Sequence, residues 1–171
     1  MALSPVFQAP PRRTGLLERP GCRIHFEVTG TGPAIVFAHG LGGNHLSWWQ
    51  QVAHFAPRYT CVTFAHRGFA PSSWMEGGPD PRDYGDDLAA LVEHLGLPDV
   101  RVVAQSMGGW SATEYALRHP GRLRALVLAA TTGTLDLRGL REPERSRLDG
   151  WVRDSAEQRT ELRSAGIHPA A

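Results

Sequence analysis

The sequence predicts an α/β protein: a parallel, doubly wound sheet with flanking helices. Two observations carry that prediction. Short, largely apolar runs recur along the chain at Ala34–Ala38, Cys61–Phe64, Val100–Ala104 and Leu126–Ala130. Their length and continuity suit strands covered on both faces. Segments with helical apolar spacing lie between them, and strands alternating with helices imply parallel pairing through right-handed crossovers.

The elements follow in order. Residues 1–20 contain scattered prolines and no clear period, and they read as a loose lead-in. Arg23–Val28 alternates polar and apolar, the period of a half-exposed strand. Gly30–Pro33 is a turn before the Ala34–Ala38 strand, and the loop His39-Gly40-Leu41-Gly42-Gly43 leaves that strand's end. A helix is expected from His45 to Phe55, then the Cys61–Phe64 strand and the loop His66–Pro71. Tyr84, Leu88, Leu91, Val92 and Leu95 recur at helical spacing, and Gly96 is placed to end that helix. The Val100–Ala104 strand runs into Gln105-Ser106-Met107-Gly108-Gly109, a helix follows over Trp110–Arg118, and Leu126–Ala130 reads as one more buried strand. Residues 21–134 thus form the core. Residues 135–171 are rich in Arg, Glu and Asp and read as a polar helical segment.

Bulk composition bounds the function classes. The 171 residues are 42% hydrophobic and 20% charged, and 18 basic against 17 acidic side chains leave a net charge of +1. That balance offers no electrostatic footprint for nucleic acid or an anionic membrane. No apolar run approaches membrane-spanning length, and the first residues lack the apolar stretch of a secretory signal. Cys22 and Cys61, without a CxxC partner, read as reduced core thiols of a cytoplasmic protein, with a single disulfide between them as the alternative.

The chemistry concentrates at three predicted strand ends, where open parallel sheets bind ligands. Ser106 sits between a buried strand and a helix, with Ala104 and Gly108 two positions to either side. This is the recipe for a nucleophile elbow, a strained turn that aims a hydroxyl at a helix N-terminus. The glycines after His39 allow a backbone N–H to approach a ligand closely. Taken singly, each motif also has a plain structural reading. Gly42 and Gly43 serve as turn residues, Trp48 and Trp49 as one buried helix face, and Arg67 as a loop brace through carbonyl contacts. The Arg/Glu pattern at 138–163 serves as a solvated face.

Together, Ala104-x-Ser106-x-Gly108, His39-Gly40-Leu41-Gly42 and Ala65-His66-Arg67-Gly68-Phe69-Ala70 resemble the G-x-S-x-G, H-G-x-G and D-x-R-G-x-G segments of the α/β-hydrolase family. The resemblance runs from about residue 23 to 133. It implies that Ser106 is the nucleophile and that the backbone N–H groups of Leu41 and Met107 form an oxyanion hole. His39, Gly40, Gly42 and Gly108 would be supporting loop residues. It implies acyl transfer to serine and then to water from a small-molecule carboxylic ester or lactone, with no cofactor and no metal. Ala104, Ala65 and Ala70 depart from the pattern, and the last two are expected to alter loop shape rather than chemistry.

In that family the catalytic acid and histidine follow later strands than this sequence contains. The resemblance therefore implies the N-terminal part of the fold, truncated before the last strands, with acid and base outside these residues and 135–171 starting a cap. His25, His45, His54, His94 and His119 have core or surface explanations, and His66 and His168 lack the expected placement. Asp136 is the best internal acid candidate. A competing expectation is a non-catalytic relative that binds or self-associates through an exposed sheet edge. Other reactions of the same fold stand as a narrower alternative, and Ser106 argues against dehalogenation, which would need an aspartate at the elbow.

Overall fold

The computed structural model describes residues 9–75, 78–131 and 133–134. Six strands form one mixed sheet: β1 (Arg12–Arg19), β2 (Cys22–Thr29), β3 (Ala34–Ala38), β4 (Thr60–Phe64), β5 (Val100–Gln105) and β6 (Leu123–Ala129). Their spatial order is β1-β2-β4-β3-β5-β6. β4, β3, β5 and β6 run parallel, as expected of strands joined by helices, whereas β1 and β2 pair antiparallel with their neighbours. The helices are α1 (Trp49–Phe55), α2 (Tyr84–His94) and α3 (Gly108–Arg118). Among the described residues no helix is long and apolar enough to cross a membrane.

Alternation along β3 explains the two layers. Ala34, Val36 and Ala38 belong to the larger apolar cluster with Leu88, Leu91 and Val92 of α2 and Ala112 and Tyr115 of α3. Ile35 and Phe37 point the other way, into a smaller cluster with Val52 and Phe55 of α1. A strand whose successive side chains meet helices on opposite faces must be apolar throughout, which is why Ala34–Ala38 carries no polar residue. Gly96 ends α2 as expected. Its φ of +63° lets the Leu97 N–H reach the Val92 carbonyl at 3.1 Å.

Two expectations need correction. The stretch read as a loose lead-in contains β1, paired with β2 from Arg12↔Thr29 to Arg19↔Cys22. Arg-Arg-Thr-Gly-Leu-Leu-Glu-Arg shows no clean alternation because β1 is an edge strand held by backbone pairing, with only Leu17 fully buried. β6 is not a strand buried on both faces. Among the described residues it pairs only with β5, and Val127 is 51% exposed. The expected cap segment, residues 135–171, lies outside the described residues.

Cys22 and Cys61 are both buried and free. Cys61 pairs with Thr29, seven residues along β2 from Cys22. At about 3.3 Å per residue the two lie about 23 Å apart, far beyond disulfide reach.

Arg67 braces its loop through carboxylates rather than the expected carbonyls. Its Nε and Nη2 donate to the two oxygens of Asp87 on α2, each at 2.6 Å, and Nη1 pairs with Asp83. Arg19 of β1 donates to the same Asp87 at 2.9 Å. Arg67 is 4% and Asp87 1% exposed, so removing either partner strands a buried charge. Arg67→Ala and Asp87→Ala are each expected to lower unfolding free energy by about 3–5 kcal/mol in urea titrations.

Candidate active site

β5 delivers Ser106 to the sheet's carboxyl edge. Its backbone turns there with φ +49°, the left-handed region that a non-glycine residue enters only under constraint. The constraint is visible in the hydrogen bonds. Ser106 N–H is held by the Ala129 carbonyl of β6 at 3.0 Å, and the Ser106 carbonyl accepts from Gly109 N–H at 2.9 Å as α3 begins. The strand thus becomes a helix within two residues, and Ser106 lies half-buried at the helix N-terminus.

Only small neighbours permit this turn. A Cβ at Gly108 would lie 2.3 Å from the Ala38 carbonyl oxygen and 2.8 Å from that of His39. One at Gly40 would lie 2.1 Å from Gln105 Oε1 and 3.2 Å from Ser106 Cβ. The loop after β3 therefore packs directly against the elbow, and the two motifs that are 66 positions apart in the chain meet. Gly43 N–H closes that loop onto the Gly40 carbonyl at 3.0 Å, with Gly42 at φ +77° between them. The Leu41 side chain is exposed, whereas Met107 is buried in the turn into α3. Among the described residues neither the Leu41 nor the Met107 backbone N–H has an acceptor.

His39 ties the loop after β3 to the loop after β4. It is fully buried, its Nε2 accepts from the His66 backbone N–H at 3.0 Å, and its Nδ1 lies 2.8 Å from the Gly40 carbonyl. An acceptor at Nε2 places the proton on Nδ1, which donates to Gly40. Both nitrogens are committed. Burial pushes the His39 pKa down to about 4, against a smaller upward effect of the Gly40 hydrogen bond.

His66 continues the same network, which the sequence did not reveal. Ser111 Oγ donates to the Gly108 carbonyl at 2.9 Å, so His66 Nε2, 3.1 Å away, donates to Ser111. Among the described residues its Nδ1 is buried without a partner. Complete burial, and then His39, lower the His66 pKa well below the usual value. A five-residue step from the elbow serine to Ser111 along α3 was the available signal. It becomes meaningful only once His66 is known to face that helix.

Among the described residues no imidazole or carboxylate hydrogen-bonds Ser106 Oγ. Asp136 and His168 lie outside them. Trp48 packs on Phe37 at 5.3 Å between ring centroids, but Trp49 is 68% exposed, so the pair does not form one buried face. None of the elbow or loop residues belongs to a grouping of three metal-binding side chains among the described residues.

The family model described as "alpha/beta hydrolase fold" matches residues 33–164. The chain is 32% identical over 103 residues to 3-oxoadipate enol-lactonase 2 of Acinetobacter baylyi, covering 60% of this chain and 39% of that protein. It is 34% identical over 128 residues to a non-heme chloroperoxidase of Kitasatospora aureofaciens, covering 74% and 46%. The match therefore spans less than half the length of these relatives. Among solved structures, an epoxide hydrolase from Vigna radiata superposes with a TM-score of 0.66 at 23% identity, over 80% of this chain and 46% of that one. That likeness concerns the fold alone.

Two outcomes are expected from this geometry. Gly108→Ala should cost about 1–3 kcal/mol in urea unfolding, because a methyl must displace the β3 carbonyls. The buried histidines should make stability fall with acid. Unfolded His39 protonates near its ordinary value of 6.5 while the folded ring stays neutral down to about 4, so the unfolded chain binds more protons in that window. Stability should be full above pH 6.5 and decline toward pH 4, by roughly 3 kcal/mol for His39 at 1.36 kcal/mol per pKa unit. His66 adds in the same direction. Urea midpoints measured across this range should show the decline, and His39→Gln should flatten it.

Proposed function

The chain belongs to the alpha/beta hydrolase fold family, and on that premise we propose that it is the nucleophile-bearing part of a serine hydrolase acting on a carboxylic ester or lactone. The observation that carries the reading is Ser106 itself: a serine at φ +49° on a strand-to-helix turn, with Gly40 against its Cβ. The Leu41 and Met107 N–H groups, which have no acceptor among the described residues, support it. The lactonase relative adds to the case for this substrate class.

In the proposed reaction Ser106 Oγ attacks the carbonyl carbon and its proton passes to a histidine. The tetrahedral oxyanion accepts hydrogen bonds from Leu41 and Met107 N–H. The alcohol leaves with that proton, and water then hydrolyses the acyl-serine. One such donor supplies about 2.7–4 kcal/mol of barrier lowering where it has been measured in other enzymes. Among the described residues no imidazole hydrogen-bonds Ser106 Oγ and both nitrogens of His39 are occupied, so the reading assigns the base and its acid to residues outside the described part or outside this sequence. On its own the chain should then be a feeble catalyst, retaining at most the roughly 10³–10⁴-fold enhancement that an oxyanion hole and binding supply without a full triad. Residues 135–171 are read as the start of a cap. Two free, buried thiols suit a reducing cytoplasm.

A second reading rests on β6. Its outer edge takes no strand among the described residues, and Val127 is 51% exposed there. A non-catalytic relative would use that edge to pair with another chain.

A fluorophosphonate probe separates the two. Prolonged incubation with the folded chain should phosphonylate Ser106, located by peptide mass spectrometry, and Ser106→Ala should abolish the label along with any hydrolysis of a p-nitrophenyl ester. A folded chain that takes no label, and that elutes as a dimer on size-exclusion chromatography, would favour the binding module instead.

A further inference from the structure

β2 places two potential metal ligands on one face. Ile24, Phe26 and Val28 point into the larger core, so His25 and Glu27 point away from it. A one-turn 3-10 helix, His45–Trp48, packs on that face and adds His45. Its position is set by a capping box, in which Asn44 Oδ1 accepts from Leu46 N–H at 2.8 Å and Asn44 N–H donates to Ser47 Oγ at 3.1 Å. One ligand atom from each of His25, Glu27 and His45 lies within 4.8 Å of the others.

The distances suit a cation. Tetrahedral zinc at about 2.0–2.1 Å from nitrogen and oxygen puts its ligand atoms about 3.3 Å apart. His45 Nε2 and Glu27 Oε1 are already 3.4 Å apart, with their side chains only 10% and 13% exposed. The His25 and His45 rings meet edge-on at 4.5 Å. Among the described residues the Nδ1 atoms of both histidines are buried without a hydrogen-bond partner. His45 turns Nε2 toward Glu27, so Nε2 is its ligand atom, and ligation there leaves the proton on Nδ1.

From this geometry we propose that His25, Glu27 and His45 form a binding site for a divalent transition-metal ion of the zinc class, with water completing the coordination. Two imidazoles and one carboxylate are the donor set that zinc, cobalt and nickel accept. The competitor is Arg12, whose Nη2 donates to both Glu27 oxygens at 2.8 Å. Arg12 is 59% exposed, and an ion pair of that exposure holds weakly enough to be displaced. The sequence led to no expectation of a metal, since the family resemblance implies none. The site would clamp β2 to the turn that follows the His39–Gly43 loop.

The chelator-treated 171-residue chain, titrated with Zn²⁺ by calorimetry and with Co²⁺ by visible absorption, tests this. One equivalent should bind in the micromolar range or tighter, and Co²⁺ should give the intense bands of a four- or five-coordinate site. Glu27→Gln and His45→Ala should each weaken binding by at least about tenfold, as loss of a ligand or its support does elsewhere. Arg12→Ala, which alters the same carboxylate without removing a ligand, should bind as tightly or more so. Circular dichroism establishes that each variant is folded, and His45→Asn replaces His45→Ala if the latter is not. The proposal is overturned by a folded wild-type chain with no saturable binding, by binding that survives Glu27→Gln and the His45 variant, or by equal loss in all three variants.

Discussion

There is no room for a side chain at position 108, and much of the molecule follows from that. The first turn of α3 comes so close to the end of β3 that the Ala38 carbonyl oxygen stands 2.3 Å from where a Cβ would be. The same closeness recurs in reverse at Gly40, against Gln105 and Ser106, and at Gly109, against Thr131. Gly40 and Gly108 set the spacing of β3 against the turn from β5 into α3, Gly109 sets that of α3 against the segment after β6, and between them Ser106 adopts a positive φ. The strain is held in place because the Ala129 and Gly109 hydrogen bonds on either side are part of the sheet and the helix.

Polar groups buried under the elbow extend that constraint to a third loop. His39 joins the loop after β3 to the backbone of His66, and His66 joins through Ser111 to the Gly108 carbonyl. Each link runs through the low-dielectric interior, where a satisfied network rigidifies and an unsatisfied one is costly. One residue beyond His66, Arg67 carries the connection on to α2 and β1 through Asp87. The loop after β4 thus acts as a tie between the site and the core. This accounts for its tolerance of Ala65 and Ala70: its shape is held by Arg67, by the His66 links, and by Ser72, which accepts from His25 N–H and donates to the Ala65 carbonyl.

Legibility varied with how local the cause was. The four apolar runs, the helix over Tyr84–His94 and the turn at Ser106 could be read because period, length and residue size act over a few neighbouring positions. β1 could not, since an edge strand with one buried side chain is stabilised by its pairing with β2 and not by its own pattern. The exposure of β6 was equally hidden, because an apolar run looks the same whether one or both faces are covered. Arg67 was recognised as a brace, but its partner lies 20 positions away on a different element.

The sequence by itself determined the parallel α/β core, the serine elbow and the glycine loop that belongs beside it, because small residues and apolar periods are local requirements of those shapes. Tertiary structure alone decided which loops meet. It placed Gly40 on Ser106, threaded His39 and His66 into one neutral network, and gathered His25, Glu27 and His45 around a common point. Those outcomes depend on strand order and sheet register, which are set by the packing of the whole core and leave no mark on neighbouring residues.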